Sequence, residues 1–114
     1  MAEKTLNAMI GERVTLSCTT KLPTPVDWYY QPSANAGGEL IWSAGSFYNG
    51  YSSRYAVNRN VPGDFSLVIT NVTQDDAGVF SCKEDVSYGP VHRTTLNVHR
   101  KTCYQNLCNY FASK

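Results

Sequence analysis

Long apolar runs are absent from the 114-residue sequence, which has no stretch of about twenty apolar residues that could form a membrane-spanning helix. Charge is also scarce: 17% of residues are charged, the formal net charge is +1, and there is no block of basic residues. Nucleic acid and anionic membranes are therefore poor partner candidates. The first residues are acidic early and lack an apolar central run, so we do not interpret them as a secretory signal.

Sequence motifs that are typical of catalytic or metal-binding sites are absent as well. The sequence has no glycine-rich phosphate loop and no paired acidic residues that would indicate a cleft. Cys103 and His99 have the groups of a nucleophile and a base, but a chain terminus offers little to orient them. Zinc-binding atoms occur in His92, His99, Cys103 and Cys108, whose spacing matches no zinc motif. We therefore expect no enzymatic activity, no metal and no cofactor.

Aromatic side chains, in contrast, are abundant: they make up 12% of the residues and include eight tyrosines. Low charge combined with many aromatic residues argues against disorder. A chain of 114 residues has room for one hydrophobic core but not for two. We predict a single domain at residues 1–99, followed at 100–114 by a tail or linker that lies off the core and frays.

Cys18 and Cys82 lie 64 positions apart, each in a segment of alternating apolar residues. Val14 and Leu16 share one side of the first segment with Cys18, because residues i and i+2 of a strand point the same way. Phe80 shares a side of the second segment with Cys82 for the same reason. Two such apolar faces, packed together, could be joined by a disulfide. Closing a loop of this size would contribute roughly 4 kcal/mol to stability.

Trp28 lies between these cysteines, and a longer pattern leads to the second one: Leu67, Ile69, Val72, Asp76, Gly78, Phe80 and Cys82. With these residues the chain resembles a V-set (variable-type) domain of the immunoglobulin superfamily over about residues 3–98. The resemblance implies an all-β fold, a V-type antiparallel β-sandwich of about nine strands with an inter-sheet disulfide. That disulfide would be Cys18–Cys82, and Trp28 and Phe80 would pack beside it in the core.

Alternation and turn residues predict nine strands, which we letter as in that family. In the order A, B, C, C′, C″, D, E, F and G they are 3–8, 11–19, 26–31, 39–43, 46–49, 54–58, 65–70, 78–85 and 91–98. The interval between C and D is long enough for two extra strands, which favours the V-set over the seven-strand constant type.

The chain departs from the family pattern in two places. Phe80 stands where the family usually has tyrosine, so the "tyrosine corner" hydrogen bond cannot form and the corner must depend on packing and on Asp76. Strand G has Val91 and Arg93 where joining segments have the glycines of a bulge. The second departure favours similarity to a germline-encoded immune-type or adhesion receptor of a fish or invertebrate chordate, rather than to a rearranging antigen receptor.

The resemblance also implies a structural salt bridge between Arg54, at the start of strand D, and Asp76, before strand F. The planar guanidinium suits this role because it can donate two parallel hydrogen bonds to one carboxylate. Arg59 is the alternative partner for Asp76, although its spacing fits the family less well.

Function on this fold has to be argued from a surface. If Trp28 faces the core, the residues beside it face outward from the sheet of strands G, F, C and C′. We expect this face to bind a protein counter-receptor or a second copy of the chain, because aromatic patches with charged margins are typical of interfaces. The predicted residues are Tyr29, Gln31, Trp42, Phe47, Tyr48, Lys83, Asp85, Tyr88, Val91 and Arg93. The alternative interpretation is that these aromatics reflect strand propensity alone.

A second functional hypothesis uses the end of the sandwich where the loops at 20–25, 44–45 and 86–90 gather. There the chain would bind a glycan or another non-protein ligand, and Tyr88 would matter most. A third hypothesis is a purely structural spacer domain, in which neither surface binds anything.

The predicted disulfide requires an oxidising compartment, so we expect an extracellular location, either secreted or as an excised ectodomain with an added Met1. Asn71-Val72-Thr73 is an N-glycosylation acceptor in the predicted E–F turn. Cys103 and Cys108 could bridge each other, pair with a following domain, or link two chains, and the sequence leaves these options open.

Overall fold

The computed structural model describes residues 2–20, 25–33, 35–84, 91–104 and 107–112. In these ranges the chain forms ten strands. In chain order they are β1 (Ala2–Met9), β2 (Val14–Leu16), β3 (Val26–Gln31), β4 (Glu39–Ser43), β5 (Ser46–Phe47), β6 (Tyr55–Val57), β7 (Leu67–Ile69), β8 (Gly78–Glu84), β9 (Val91–Tyr104) and β10 (Leu107–Ala112). The first nine correspond to the predicted strands A to G.

The strands form two sheets that pack face to face. The larger, seven-stranded sheet has the order β1-β9-β8-β3-β4-β5, with β10 paired to β9, and the smaller sheet has the order β2-β7-β6. β1 runs parallel to β9, whereas the other pairs are antiparallel. The predicted all-β immunoglobulin-type sandwich is confirmed, and β3 and β4 have the predicted bounds.

The core lies between the sheets and is built from the apolar positions that alternate along each strand. Trp28 and Phe80 are fully buried in it. The predicted disulfide is confirmed: Cys18 and Cys82 are bonded, with their Cα atoms 6.3 Å apart. The indole of Trp28 also finds a polar partner across the sandwich, since its Nε1 donates a hydrogen bond to the Phe65 carbonyl oxygen at 2.8 Å.

The C-terminal segment differs from the expectation that it frays. Strand β9 extends past residue 99, the predicted end of the domain, to Tyr104. Strand β10 pairs antiparallel with it, so that Leu107 lies opposite Tyr104 and Ala112 lies opposite His99. Backbone hydrogen bonding in a hairpin gives this segment a regular structure that its polar composition did not predict.

Candidate protein-binding face

The larger sheet separates its side chains into two sets by simple alternation. Trp28, Phe80, Cys82 and Leu96 point inward and are buried, while their neighbours along β3, β8 and β9 point outward. We call this outward surface the G-F-C-C′ face, and define it by three rows of cross-strand partners. They are Leu40-Tyr29-Ser81-Arg93, Gln31-Val79-Thr95, and Asp27-Lys83-Val91.

The centre of this face is half-buried and its margin is charged. Tyr29, Leu40, Val79 and Val91 are of intermediate exposure, and Arg93 is exposed at the β9 end of the central row. Side chains directly opposite each other in an antiparallel pair are about 4.5–5.5 Å apart at Cβ, close enough to form one continuous surface. The result is a half-buried, largely apolar centre with charged residues at its margin.

Polar groups on the face are arranged in complementary pairs. Asp27 on β3 lies opposite Lys83 on β8, and Glu3 on β1 lies opposite Arg93 on β9. Gln31 is held in place because its Nε2 donates to the Ala36 carbonyl oxygen at 2.7 Å. Opposite charges at directly facing positions stabilise a sheet modestly. They also determine the distribution of charge on the surface that a partner would contact.

The prediction that Trp42 belongs to this face is wrong. Its side chain is buried in the core, with 5% exposure. The cause is an irregularity between β3 and β4: Trp28 pairs with Trp42, but the next residue, Tyr29, pairs with Leu40, so Ile41 is an extra residue. A bulge of this kind changes which side chains face each side of a sheet. Ile41 and Trp42 both become buried, and Leu40 takes the outward place beside Tyr29.

Phe47 lies on the inner side of the sheet with Trp42, because it is the cross-strand partner of Trp42 on β5. It is partly buried and packs against the core cluster, so its assignment to the face is also wrong. Tyr48, one residue later, is 43% exposed at the sheet edge. Asp85 and Tyr88 lie outside the described residues.

The E–F corner, residues 70–78, includes Asp76, which forms an ion pair with Arg54. The Arg54 guanidinium donates to both Asp76 carboxylate oxygens, at 2.8 and 3.1 Å, while the Asp76 side chain is only 3% exposed. The Tyr55 hydroxyl donates to the same carboxylate, as does the Thr73 backbone N–H at 2.8 Å. Arg59, the alternative partner, lies elsewhere.

This network sets the ionisation of the corner. Burial by itself would raise the pKa of Asp76, but the hydrogen bonds from Arg54, the Thr73 backbone and Tyr55 outweigh it and lower that pKa below its usual value. The pKa of Tyr55 is raised, first by burial and then by its hydrogen bond to Asp76. At neutral pH the corner therefore holds an ionised carboxylate and a neutral phenol.

A tyrosine hydroxyl reaches this corner after all, although not from position 80. Tyr30 stacks on Phe80, with ring centroids 4.9 Å apart, and its hydroxyl donates to the Ala77 carbonyl oxygen. Gly78 permits this approach: a Cβ there would lie 2.5 Å from the Gln31 carbonyl oxygen and 2.9 Å from the Tyr30 hydroxyl. Sequence reasoning missed Tyr30 because its contact crosses from one strand to a distant turn.

A cleft of about 420 Å³ opens where the β4–β5 turn meets the loop between β6 and β7. Its lining includes the rings of Trp42 and Phe65. The Arg59 guanidinium carbon lies 5.7 Å from the Trp42 ring centroid and 5.5 Å from that of Phe65. These distances are typical of cation–π contacts. The cleft therefore has an aromatic wall with an exposed cation over it.

The remaining predicted residues are placed as follows. Asn71 is exposed in the E–F turn, with a left-handed φ of 53°. His92 and His99 are seven positions apart on β9, a separation of about 23 Å along a strand, so they cannot share one zinc ion. Among the described residues, no group of three or more potential metal ligands is gathered together.

Comparison with known proteins identifies the family. Residues 2–99 match the immunoglobulin V-set domain model, and the chain belongs to that family. It is 29% identical over 85 residues to the human probable non-functional immunoglobulin kappa variable 1D-42, covering 73% of this chain and 72% of that one. Human signal-regulatory protein beta-1 is 33% identical over 111 residues, which span 87% of this chain and 27% of the relative.

A further relative and a solved structure are similar too. Mouse myelin protein zero-like protein 3 is 32% identical over 93 residues, covering 71% of this chain and 39% of the relative. A crystal structure described as the ZIG-8 IG1 homodimer superposes with a TM-score of 0.71 at 15% identity, covering 87% of this chain and 81% of that one. Within the part of the chain that is described, no helix is long and apolar enough to cross a membrane.

Proposed function

We propose that the chain is a non-catalytic recognition domain of a secreted or cell-surface receptor in the extracellular space, and that it binds a protein through the G-F-C-C′ face. The supporting observation is the central row of half-buried side chains, Leu40, Tyr29 and Ser81, ending at the exposed Arg93. Apolar and aromatic centres with charged rims are the pattern of protein interfaces.

The pattern of charge favours a second copy of the chain as the partner. Asp27 and Lys83 lie in the same row on neighbouring strands. A two-fold axis parallel to the strands, passing between β3 and β8, would place Asp27 of each copy over Lys83 of the other. Two-fold interfaces require this kind of self-complementarity, and paired opposite charges also disfavour wrong registers.

Charge-reversal variants test this arrangement by sedimentation velocity over a range of protein concentrations. We expect the wild type to self-associate, and Asp27→Lys or Lys83→Asp alone to lose that association. An equimolar mixture of the two variants should associate again, because each contact between unlike copies is then between opposite charges. Arg13→Glu is the matched control, since it changes an exposed charge away from this face.

Two results would contradict self-association through this face. One is a wild type that stays monomeric at all concentrations tested. The other is a mixture that behaves like its separate components. Tyr29→Ala provides an independent check on the apolar centre, with Ile10→Ala, at an exposed residue outside the face, as its control.

The second candidate function is capture of an acidic glycan in the cleft beneath Arg59. The cleft volume of about 420 Å³ falls within the range of about 300–1,000 Å³ typical of ligand pockets. An exposed guanidinium can bind a carboxylate, and aromatic rings such as those of Trp42 and Phe65 provide a flat apolar wall.

Titration with glucuronate, followed by the NMR signal of the Trp42 indole, tests the cleft, and glucose serves as the uncharged comparison. Binding of glucuronate but not of glucose, lost in Arg59→Gln and kept in Arg13→Gln, would support the cleft. Equal responses to the two sugars would argue against a carboxylate site.

A further inference from the structure

The hairpin formed by β9 and β10 contains both cysteines that lie outside the sandwich core. Its register pairs Leu107 with Tyr104, Cys108 with Cys103, and Asn109 with Thr102. The two cysteines are therefore direct cross-strand neighbours. In the sequence, only residues 105 and 106 separate Tyr104 from Leu107.

This register is sufficient to bring the two residues within bridging range. Directly opposite Cα atoms of an antiparallel pair are about 5.5 Å apart at hydrogen-bonded positions and about 4.5 Å apart at the others. Both separations fall within the roughly 4.4–6.8 Å found between the Cα atoms of disulfides. Opposite residues also belong to the same face of a sheet. The Cα separation is suitable whichever kind of pair this is.

The other possible pairings within the chain are excluded by distance. Cys82 lies beside His92 on β9, and Cys103 is eleven positions further along the same strand. At the usual rise of a strand this is about 36 Å. Cys18 is already bonded to Cys82. Within one chain, each of the two remaining cysteines therefore has the other as its reachable partner.

The hairpin also has a fixed place on the larger sheet. His99 pairs with Met9 of β1 on one side, so its pairing with Ala112 must lie on the other side, the one that β8 occupies along residues 91–96. The hairpin thus extends the sheet at the end of β8. A two-stranded hairpin is only marginally stable by itself, so a covalent link near its tip would help to keep it formed.

We propose that Cys103 and Cys108 form a second intrachain disulfide, which closes the β9–β10 hairpin and leaves no thiol for a link to another chain or domain. In forming it, the two thiols lose two protons and two electrons. A disulfide-bearing oxidant of the secretory compartment accepts them, passes through a mixed disulfide and is released as a dithiol. The bridge would make the hairpin a stable extension of the sandwich.

Peptide mapping of the full chain, produced in a secretory host and kept non-reduced, tests the pairing. Chymotrypsin cleaves after Tyr104, between the two cysteines, so the fragments on either side should stay joined until a reductant is added. Alkylation before digestion should label no cysteine. A labelled Cys103 or Cys108, or a dimer that separates on reduction, would overturn the proposal.

A variant with Cys103→Ser and Cys108→Ser tests the role of the bridge in keeping the hairpin formed. Hydrogen exchange at the amides of 100–104 and 107–112 should become at least tenfold faster, while the amides of β3 and β8 keep their protection. Unchanged exchange in the hairpin would show that the link does not stabilise it. Cys103→Ser alone should leave Cys108 open to alkylation, and a protected Cys108 would point to a different partner and overturn the pairing.

Discussion

The two faces of the larger sheet use the same residue types for different purposes, and the adjacent tyrosines of β3 show this directly. Tyr30 points inward, stacks on Phe80 and donates its hydroxyl to the E–F corner. Tyr29 points outward and stays half-exposed in the central row of the G-F-C-C′ face. Tyr30 therefore contributes to the fold, whereas Tyr29 lies half-exposed on the outer surface.

Charged residues show the same difference between buried and exposed positions. Asp76 is buried, and its carboxylate is satisfied by Arg54, Tyr55 and Thr73 within the chain. Lys83 and Arg93 remain exposed on the outer face. A buried charge has to be paired because leaving it unpaired in the interior is costly. An exposed charge costs little and can therefore serve recognition. Substitutions on the inner side should accordingly change stability, and those on the outer side should change association.

The largest expected effect is that of Trp28→Ala on the inner face. Truncating a fully buried tryptophan removes a large apolar surface and leaves a cavity, so we expect the free energy of unfolding to fall by about 3–5 kcal/mol. Denaturant unfolding measures this change. The neighbouring substitution Tyr29→Ala should cost less than about 1 kcal/mol. Similar losses for the two variants would contradict the division between the faces.

Asp76→Asn should have the next largest effect. It removes the charge that Arg54 and Tyr55 are arranged to meet, and we expect a loss of about 2 kcal/mol at neutral pH. Arg54→Met is the matched variant that removes the cation instead. Stability measured by denaturant unfolding in both variants would show whether the pair acts as a unit, because a double variant should then lose less than the sum of the two.

The same residue gives a pH dependence with a definite sign. Because the pKa of Asp76 is lower in the folded state, the unfolded chain binds more protons in the acidic range, so stability rises with pH there. This contribution is complete above the unfolded pKa, near 3.8, and is lost as the pH falls through the folded value. Asp76→Asn should therefore flatten the stability profile at acid pH, and an unchanged slope would remove Asp76 as its source.

A smaller effect separates the two tyrosine hydroxyls. Tyr30→Phe removes the hydrogen bonds that the hydroxyl donates to the Ala77 carbonyl and, at 3.3 Å, to the Asp75 carbonyl, and we expect a loss of about 1 kcal/mol. Tyr48→Phe, at an exposed tyrosine of the sheet edge, should have little effect on unfolding. If the two variants are equally stable, the Tyr30 hydroxyl does not replace the missing tyrosine corner.

The sequence predicted the sandwich and its disulfide through the resemblance to V-set domains, and most of the core through alternation within single strands. The bounds of β3 and β4 agree with the prediction for the same reason. It failed at Trp42 and Phe47, where the extra residue Ile41 changes which side chains face inward. A bulge is a property of two paired strands and has no signal in one of them. The β9–β10 hairpin likewise depends on backbone pairing that the polar tail did not indicate.

The smallest expected effect on stability is at Asn71, whose side chain is exposed in the E–F turn. In a secretory host we expect a glycan at this residue, detected as added mass that peptide N-glycosidase removes and that Asn71→Gln abolishes. Unfolding should change by less than about 0.5 kcal/mol, as for other exposed surface positions. Because the E–F turn lies outside the G-F-C-C′ face, glycosylation should also leave self-association intact. A glycosylated chain that no longer associates would place the interface on the E–F side of the sandwich and contradict the assignment to the outer face.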